Sequence, residues 1–268
     1  MNEKGKSTLK ICEQKLKVLN YSNRTVEIYI HYINKFLKTN TKSTLHLNSN
    51  DFQKYIDNYD FSSISQQNQI ISSIKFLYIK VLNKKYTKVN FSRPRGEKHL
   101  PKIIDSENLL SSISKIKNLK HKAIISLAYS VGLRVSEVIN LKIEDVDSKR
   151  MIILIKNAKG KKDRIVPLSN NVLKLLRIYY KKYKPVVYLF NGQKKLKYSS
   201  TSCNLIVKKH LGKNYHFHLL RHSCFTHLLE NGTDCRIIQK LAGHKNIKTT
   251  EIYTHVSTKF LNKIELPI

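Results

Sequence analysis

Two side chains that suit the binding of an anion lie three residues apart near the C-terminus. His218 and Arg221 occur in a segment whose apolar residues have helical spacing. Residues three apart share one face of a helix, so both side chains can point at one object. Arginine donates hydrogen bonds to anions as a fork, and histidine exchanges protons near neutral pH. The pair therefore predicts a site for phosphate chemistry.

Two further candidates follow in the chain. His244 stands directly after Gly243, where a helix is expected to end. Tyr253 lies in a run, residues 249–255, that predicts a short last helix. A tyrosine hydroxyl beside a bound phosphate is a candidate nucleophile. The chain has 15 tyrosines, so a lone Tyr253 is more simply interpreted as a core residue, and its assignment depends on the residues around it. The neighbouring His222, His227 and His255 are assigned to packing or solvent.

An arginine also stands at the predicted start of a helix earlier in the chain. Gly132 is suited to end one helix in a left-handed conformation, and Arg134 then opens the next. An arginine beside free backbone N–H groups makes a local anion site. The plainer interpretation is a surface arginine that pairs with Glu137.

Two predicted strands, residues 150–156 and 164–168, are joined by a lysine-rich turn around Gly160. A lysine at the tip of such a hairpin can give a proton to a leaving oxygen. Lys159, Lys161 and Lys162 are candidates, and contact with phosphates is the alternative for each. The residues alone do not separate the three.

Taken in order, these residues resemble those of the tyrosine recombinases, the phage-integrase and Xer-like family. The resemblance rests on GLRVSE, AKGKKDRIVPL, HLLRHSCFTHLLENG and LAGHKNIKTTEIYTHV. It selects Lys159 among the hairpin lysines and makes Glu137 a residue that orients the site. It implies six catalytic residues, with none missing or substituted: Arg134, Lys159, His218, Arg221, His244 and Tyr253.

The resemblance implies a site-specific DNA recombinase or integrase that works through a 3′-phosphotyrosyl intermediate. Tyr253 would attack the scissile phosphorus and the 5′-oxygen would leave. A second 5′-hydroxyl would then reverse the step and exchange strands between two sites. The phosphotyrosyl bond keeps the bond energy, so neither metal nor cofactor is implied, and the sequence has no P-loop and no acidic cluster for paired Mg²⁺. A free tyrosine has a pKa of about 10, so nearby cations are expected to help Tyr253 ionise.

The resemblance also implies partners. Expected are duplex DNA with an inverted-repeat core site, a homotetramer on synapsed DNA, and accessory proteins that the sequence does not identify. In similar recombinases a C-terminal segment docks on a neighbouring protomer, and residues 257–268 are a short candidate for this exchange. The absence of an added N-terminal arm-binding domain favours an Xer-like or transposon-type organisation.

Composition agrees with a polyanionic partner. The 268 residues include 50 basic and 18 acidic side chains, for a formal net charge of +32, which favours nucleic acid. A chain rich in Asn, Ile, Lys and Tyr explains part of this charge as compositional bias. No apolar run of about 18 residues and no signal-peptide core occur, so a soluble, cytoplasmic protein with no membrane partner is expected. The four cysteines form no C-x-x-C pair, which predicts reduced thiols and no zinc module.

The pattern of apolar residues predicts a mainly α fold with a small β-hairpin or sheet. Four sets of apolar residues with helical spacing predict an N-terminal helical domain over residues 1–90, and the resemblance implies that it is the core DNA-binding domain. A Pro- and Gly-containing basic stretch predicts an interdomain linker over residues 91–104, and the pattern already breaks near Lys84. The resemblance implies that residues 105–268 form a mixed α/β catalytic domain of the tyrosine recombinase type.

Three alternatives remain at this point. A type IB topoisomerase or a telomere-resolving enzyme shares the chemistry, and relaxation of supercoiled DNA that lacks a recombination site would favour it. A noncatalytic DNA-binding protein is less consistent with the complete residue set. An RNA-binding protein fits the charge and leaves the motif series unexplained.

Overall fold

The computed structural model describes residues 3–40, 42–85, 89–94, 96, 101–156, 163–193 and 196–254. The chain divides into two compact units, Met1–Lys98 and His99–Ile268. The limits proposed for the linker, residues 91–104, stay a prediction, and part of that stretch lies outside the described residues. No helix in the described part of the chain is both long enough and apolar enough to cross a membrane.

The N-terminal unit is helical, as its apolar stripes predict. Ser22 accepts a hydrogen bond from the backbone N–H of Thr25, and Asn48 forms a reciprocal capping box with Asp51. The apolar set Ile70, Ile74, Leu77, Tyr78 and Val81 has helical spacing. Its last three residues lie in a π-helical turn that follows the helix ending at Phe76. The elements are α1 (Glu3–Val18), α2 (Asn23–Thr39), a 3₁₀ turn (Thr44–His46), α3 (Ser49–Asp57), α4 (Ile64–Phe76) and a π-helical turn (Leu77–Val81).

One residue of these apolar sets, Leu19, lies outside the core, and another, Tyr59, is partly buried and packs at its edge. Leu19 follows the end of α1 and is 52% exposed. Tyr59 follows the end of α3, where its hydroxyl accepts a hydrogen bond from Lys35. The remaining stripe residues meet in one cluster that centres on fully buried Ile33, Phe52 and Ile74.

The C-terminal unit contains the other helices and the sheet. Asp105, Ser169 and Asp234 cap helices there through side-chain oxygens. The helices are α5 (Ser106–Ser114), α6 (Leu119–Ser130), α7 (Val135–Asn140), α8 (Asn170–Tyr183), α9 (Ser200–His210), α10 (Phe217–Glu230), α11 (Cys235–Ala242) and α12 (Lys248–Glu251).

Three antiparallel strands form the small sheet in the order β1 (Val146–Asp147), β2 (Ile152–Ile155) and β3 (Arg164–Pro167). The predicted hairpin is the β2–β3 pair, with Ile153 opposite Val166. The two-residue β1 is too short to leave an alternating pattern in the sequence. The short apolar run at residues 186–190 predicts a buried, extended segment, but Val186 is 83% exposed and, within this run, only Leu189 and Phe190 are buried.

Helix α10 positions the centre of this unit. It is buried around most of its circumference, as expected of a helix without a clear polar face. The predicted last helix is wrong at its end: α12 stops at Glu251, so Tyr253 lies in the turn that follows it. Leu110, Leu205 and Ile237 belong to apolar sets with helical spacing, yet each is more than half exposed.

Candidate active site

Five of the six predicted site residues line one pocket of about 520 Å³. They come from separate parts of the chain: the start of α7, helix α10, the turn after α11 and the turn after α12. The five are Arg134, His218, Arg221, His244 and Tyr253. The sixth, Lys159, lies outside the described residues. A larger pocket, of about 720 Å³, is lined by Lys120, His121 and Tyr198 and contains none of the predicted site residues.

Arg221 is the most buried cation of the site, with 1% of its surface exposed. Its Nη1 donates to the carbonyl of Gly132 at 2.6 Å, and its Nη2 donates to the carbonyl of Ala242 at 2.7 Å. The guanidinium lies 4.8 Å from the ring centre of Phe225. Burial, followed by the charge of Arg134, lowers the pKa of Arg221 to about 10. The side chain therefore stays charged at neutral pH and ties α6 to the end of α11.

The ring of His244 is held at both nitrogens. Its Nε2 lies 3.0 Å from Nη2 of Arg221, and its Nδ1 lies 2.9 Å from the hydroxyl of Thr250. A guanidinium has donors only, so Nε2 accepts and the proton of the neutral ring is on Nδ1. Burial and the charge of Arg221 lower the pKa of His244 to about 4. His244 is thus neutral and fixed as one tautomer.

Glu137 and Arg164 form a buried network with Arg134. The Glu137 carboxylate accepts from Arg134 Nη1 at 2.8 Å and from the backbone N–H of Arg134 at 2.8 Å. The expected free N–H group at Arg134 is therefore occupied, and the predicted surface ion pair is a buried one. Although burial opposes ionisation, the hydrogen bonds and charges of Arg164 and then Arg134 lower the pKa of Glu137 to about 2.

Arg164 is a site-associated residue that the sequence analysis placed only in a strand. Its Nη1 and Nη2 donate to the two oxygens of Glu137 at 2.7 and 2.9 Å. Its Nε donates to the carbonyl of Leu241 at 2.8 Å. The signal available in the sequence was a cation on a strand that borders the lysine-rich turn, which does not indicate a partner.

Tyr253 is almost fully buried, with 1% of its surface exposed. Its ring centre lies 5.5 Å from that of Phe225 and 5.8 Å from that of His222. Burial raises its pKa to about 12, and the charge of Arg221 offsets only part of that increase. Arg221 and Arg134 do lower the pKa of this tyrosine, as expected, but desolvation is the larger effect, so the net pKa in the free protein is raised.

His222 lines the same pocket, although the sequence analysis assigned it to packing or solvent. Its ring centre is 4.6 Å from that of His218, one helical turn away. Its Nδ1 is buried and has no hydrogen-bond partner among the described residues. Burial and the charge of Arg221 lower the pKa of His222 to about 4. His218 is more exposed than His222. Burial, followed by the neighbouring His222, lowers the pKa of His218 as well.

The charges of the pocket favour an anion. Glu137 accepts hydrogen bonds from Arg134 and Arg164, and only its charge acts on Arg221, so three arginines beside this one carboxylate give the cluster excess positive charge at neutral pH. His218 and His222 are neutral and can accept a proton, and one phenol, Tyr253, lines the same pocket. Preorganised cations around a phenol and a proton acceptor can stabilise the charge that develops when a phosphodiester is attacked.

Gly132 should be intolerant of any side chain. Its φ of +63° disfavours other residues, and an added Cβ would lie 2.5 Å from Cζ of Phe225. We expect Gly132→Ala to lower the free energy of unfolding by about 2–4 kcal/mol, from backbone strain and overpacking together. The matched control is Gly232→Ala, where φ is +85° and no atom lies within 4 Å of the added Cβ. That variant should lose about 1 kcal/mol, and equal losses in urea titrations would contradict the packing at Phe225.

Acidification should destabilise this unit through its buried imidazoles. Since the pKa of folded His222 is about 4 and an unfolded histidine has about 6.5, the unfolded chain binds more protons between these values. Stability from His222 is complete above pH 6.5 and is lost as pH falls toward 4. We expect a loss of about 1–2 kcal/mol from this residue between pH 7 and pH 5, the lower figure allowing for solvent screening of the partly exposed ring. Urea titrations should show a shallower loss in His222→Gln and an unchanged one in a variant of the exposed His46; identical slopes in all three proteins would exclude this effect.

Two family models match the chain. The phage integrase family matches residues 100–259, and the phage integrase N-terminal SAM-like domain matches residues 9–88. The second match covers a region where the sequence itself resembles the family only in length and helix count.

Curated relatives extend over both units. The chain is 36% identical over 257 residues to tyrosine recombinase XerA of Pyrococcus horikoshii, which covers 92% of this chain and 88% of the relative. It is 31% identical over 217 residues to tyrosine recombinase XerD of Staphylococcus epidermidis, with 73% of each chain covered.

Solved structures are similar in fold. A crystal structure of XerA recombinase matches 97% of this chain and 96% of its own, at 26% identity and a TM-score of 0.57. A post-cleavage complex of the XerH site-specific recombinase with palindromic difH substrate matches 97% and 83%, at 21% identity and a TM-score of 0.71.

Proposed function

This chain belongs to the phage integrase family and is a tyrosine site-specific DNA recombinase, and on that premise we propose which of its side chains carry the reaction. The observation that carries the proposal is the pocket itself, where two arginines, two histidines of the motif series and Tyr253 meet. The hydroxyl of Tyr253 attacks the scissile phosphorus, the bond to the 5′-oxygen breaks, and a 3′-phosphotyrosyl bond forms.

Arg134 and Arg221 are proposed to bind the nonbridging oxygens of the phosphate. Both line the pocket, and Arg221 is already held by two carbonyls at 2.6 and 2.7 Å. Such prior orientation means that little reorganisation is needed when charge builds in the transition state.

The proton of Tyr253 needs an acceptor, because its pKa near 12 keeps it protonated at neutral pH. We assign this role to His218, a neutral imidazole that lines the pocket. His244 is proposed to contact the phosphate, as the motif series predicts. In the free protein Nε2 of His244 accepts from Arg221 and Nδ1 bonds to Thr250, so a hydrogen bond from His244 to the phosphate requires a proton on Nε2 in the DNA-bound state.

Lys159 remains the proposed general acid for the 5′-oxygen. Lys159 lies outside the described residues, so this role rests on the motif alone, in which Lys159 precedes Gly160 in the stretch of sequence between β2 and β3. A lysine acid completes the proton balance, since the leaving oxygen gains the proton that the new 5′-hydroxyl carries.

The proposed substrate is duplex DNA that carries an inverted-repeat core site, bound by a homotetramer on synapsed DNA with accessory proteins at some sites. Support comes from relatives: XerH and the Tn1549 transposon integrase are solved with DNA substrates. The net charge of +32 is consistent with a phosphate-rich partner. Two sites with two strands each require four strand exchanges, which a tetramer supplies.

The experiment is covalent capture on nicked duplexes. Duplexes from the flanks of the gene that contain inverted repeats are nicked near the expected scissile phosphate, so that the released fragment diffuses away. In the absence of added metal, we expect an SDS-resistant adduct in which the protein is attached to the 3′ end of the labelled strand. An adduct on the 5′ end, or tight duplex binding with no adduct on any flank, would contradict the proposal.

A further inference from the structure

Arg164 makes three hydrogen bonds that join separate parts of the site. Two of them chelate the Glu137 carboxylate at 2.7 and 2.9 Å, and the third holds the carbonyl of Leu241 at 2.8 Å. The side chain is 9% exposed. A bidentate arginine–carboxylate pair of this kind is a strong and geometrically specific contact.

The chelation determines how Arg134 can pair with Glu137. A carboxylate offers about four lone-pair positions, and Glu137 uses four: two for Arg164, one for the Arg134 backbone N–H and one for Arg134 Nη1. Arg134 is therefore limited to a single side-chain bond with the carboxylate at 2.8 Å. The rest of its guanidinium lines the pocket.

Without Arg164, the positions on Glu137 that it occupies would be open. Arg134 lies beside them and would form its own bidentate pair, because that geometry is the favoured one for arginine and carboxylate. In such a bidentate pair the charges of Arg134 and Glu137 cancel, and the donors of the Arg134 guanidinium point away from the pocket. The phosphate would then have to compete with a buried carboxylate for Arg134.

The third bond of Arg164 acts at the other side of the pocket. Arg164 holds the carbonyl of Leu241 and Arg221 holds that of Ala242, so two arginines bind consecutive carbonyls at the end of α11. These are carbonyls without partners within their own helix. The chain turns at Gly243 (φ +62°), where an added Cβ would lie 3.2 Å from Cδ of Arg164, and continues into His244.

We propose that Arg164 is a positioning residue for DNA cleavage: it occupies Glu137 so that Arg134 stays available to the scissile phosphate, and it holds the turn that carries His244. The inference rests on the proposed function, because it concerns the charge that the site presents to a phosphate. Arg164 needs no contact with the DNA for this role.

The test compares a phosphodiester with a methylphosphonate at the scissile position of the nicked duplex. A methylphosphonate has lost one charged oxygen, so its cleavage depends less on a neutralising arginine. The readout is the ratio of the two cleavage rates within one protein, and a loss of folded protein cancels in that ratio. Variants are Arg164→Met, Arg134→Ala as the standard for a lost neutralising charge, and Arg177→Met as a control that removes an exposed arginine of α8.

We expect Arg164→Met to slow phosphodiester cleavage about 30–100-fold, somewhat less than the loss of a direct charge donor. On methylphosphonate, the loss of rate relative to the wild-type protein should be at least tenfold smaller than on the phosphodiester. The ratio of the two cleavage rates should therefore change in Arg164→Met in the same direction as in Arg134→Ala, while Arg177→Met keeps the wild-type ratio. Equal slowing on both substrates would overturn the proposal and leave Arg164 a structural residue. Failure of the wild-type protein to cleave either duplex would instead overturn the proposed function.

A double variant gives a second, independent outcome. If Arg134 is captured by Glu137 when Arg164 is absent, removing the carboxylate releases it, so Glu137→Gln/Arg164→Met should cleave the phosphodiester about tenfold faster than Arg164→Met. A double variant slower than the single one would contradict capture. Duplex affinity at fixed salt and thermal unfolding of each variant accompany the rates.

Discussion

Replacing Tyr253 with phenylalanine should abolish covalent attachment to DNA while the protein stays folded and DNA-bound. The change removes one hydroxyl and keeps the ring, whose contacts with Phe225 and His222 hold it in a nearly fully buried position. Without that oxygen no phosphotyrosyl bond forms. We expect adduct formation on the nicked duplex to fall more than about 10³-fold, at or below the detection limit of an SDS gel.

The matched control is Tyr129→Phe. Tyr129 is also partly buried, and its hydroxyl hydrogen-bonds to Nδ1 of His227 at 2.8 Å. This variant should lose about 1 kcal/mol of stability and keep its adduct. Adduct formation by Tyr253→Phe at the wild-type rate would show that another residue is the nucleophile.

Replacing Arg221 should have the second largest effect, on both rate and stability. Arg221→Ala removes a preorganised cation, which should slow cleavage about 10²–10³-fold. It also leaves the carbonyls of Gly132 and Ala242 without their donor, so the free energy of unfolding should fall by about 2–4 kcal/mol. Single-turnover cleavage and urea titration measure the two effects.

Arg221→Lys separates charge from geometry. Lysine keeps the charge but cannot donate in a fork to two carbonyls and His244 together, so we expect a loss of at least about tenfold in cleavage rate. Arg236→Lys, at an exposed position on α11, is the control and should leave the rate unchanged. An Arg221→Lys protein that cleaves like wild type would mean that charge alone is required.

Local signals explain why much of the fold could be predicted from the sequence. Ser22, Asp105, Ser169 and Asp234 cap the helices that follow them, and each combines an oxygen acceptor with an apolar stripe of helical period. Gly132 and Gly243 have the positive φ that their places at helix ends predict. Five of the six site residues that the motif series predicts also line one pocket.

The remainder depends on contacts between distant parts of the chain. Arg164 and Glu137 are far apart in sequence, and neither residue type indicates the other. The apolar set Leu109, Leu110, Ile113 and Ile116 has helical spacing, but Leu110 is 56% exposed while the other three are buried, because the width of a buried face depends on which helices pack against it. Periodicity describes a helix and does not identify its neighbours.

The net shift in the pKa of Tyr253 is a further property that the residue types alone do not predict. A phenol among arginines suggests a lowered pKa, yet burial raises it to about 12. Which effect prevails depends on how completely the ring is desolvated, and that follows from Phe225, His222 and the turn after α12. Cleavage by the bound enzyme therefore requires transfer of the phenol proton, and we propose the neutral imidazole of His218 as its acceptor.

The most direct test of the central claim is to identify the tyrosine that carries the DNA. The trapped adduct is digested with trypsin and nuclease, and the peptide that retains a nucleotide is sequenced by mass spectrometry. Cleavage after Lys248 and Lys259 releases a peptide, residues 249–259, in which Tyr253 is the only tyrosine. We expect the nucleotide on Tyr253; a nucleotide on any other residue would contradict the assignment of this pocket as the active site.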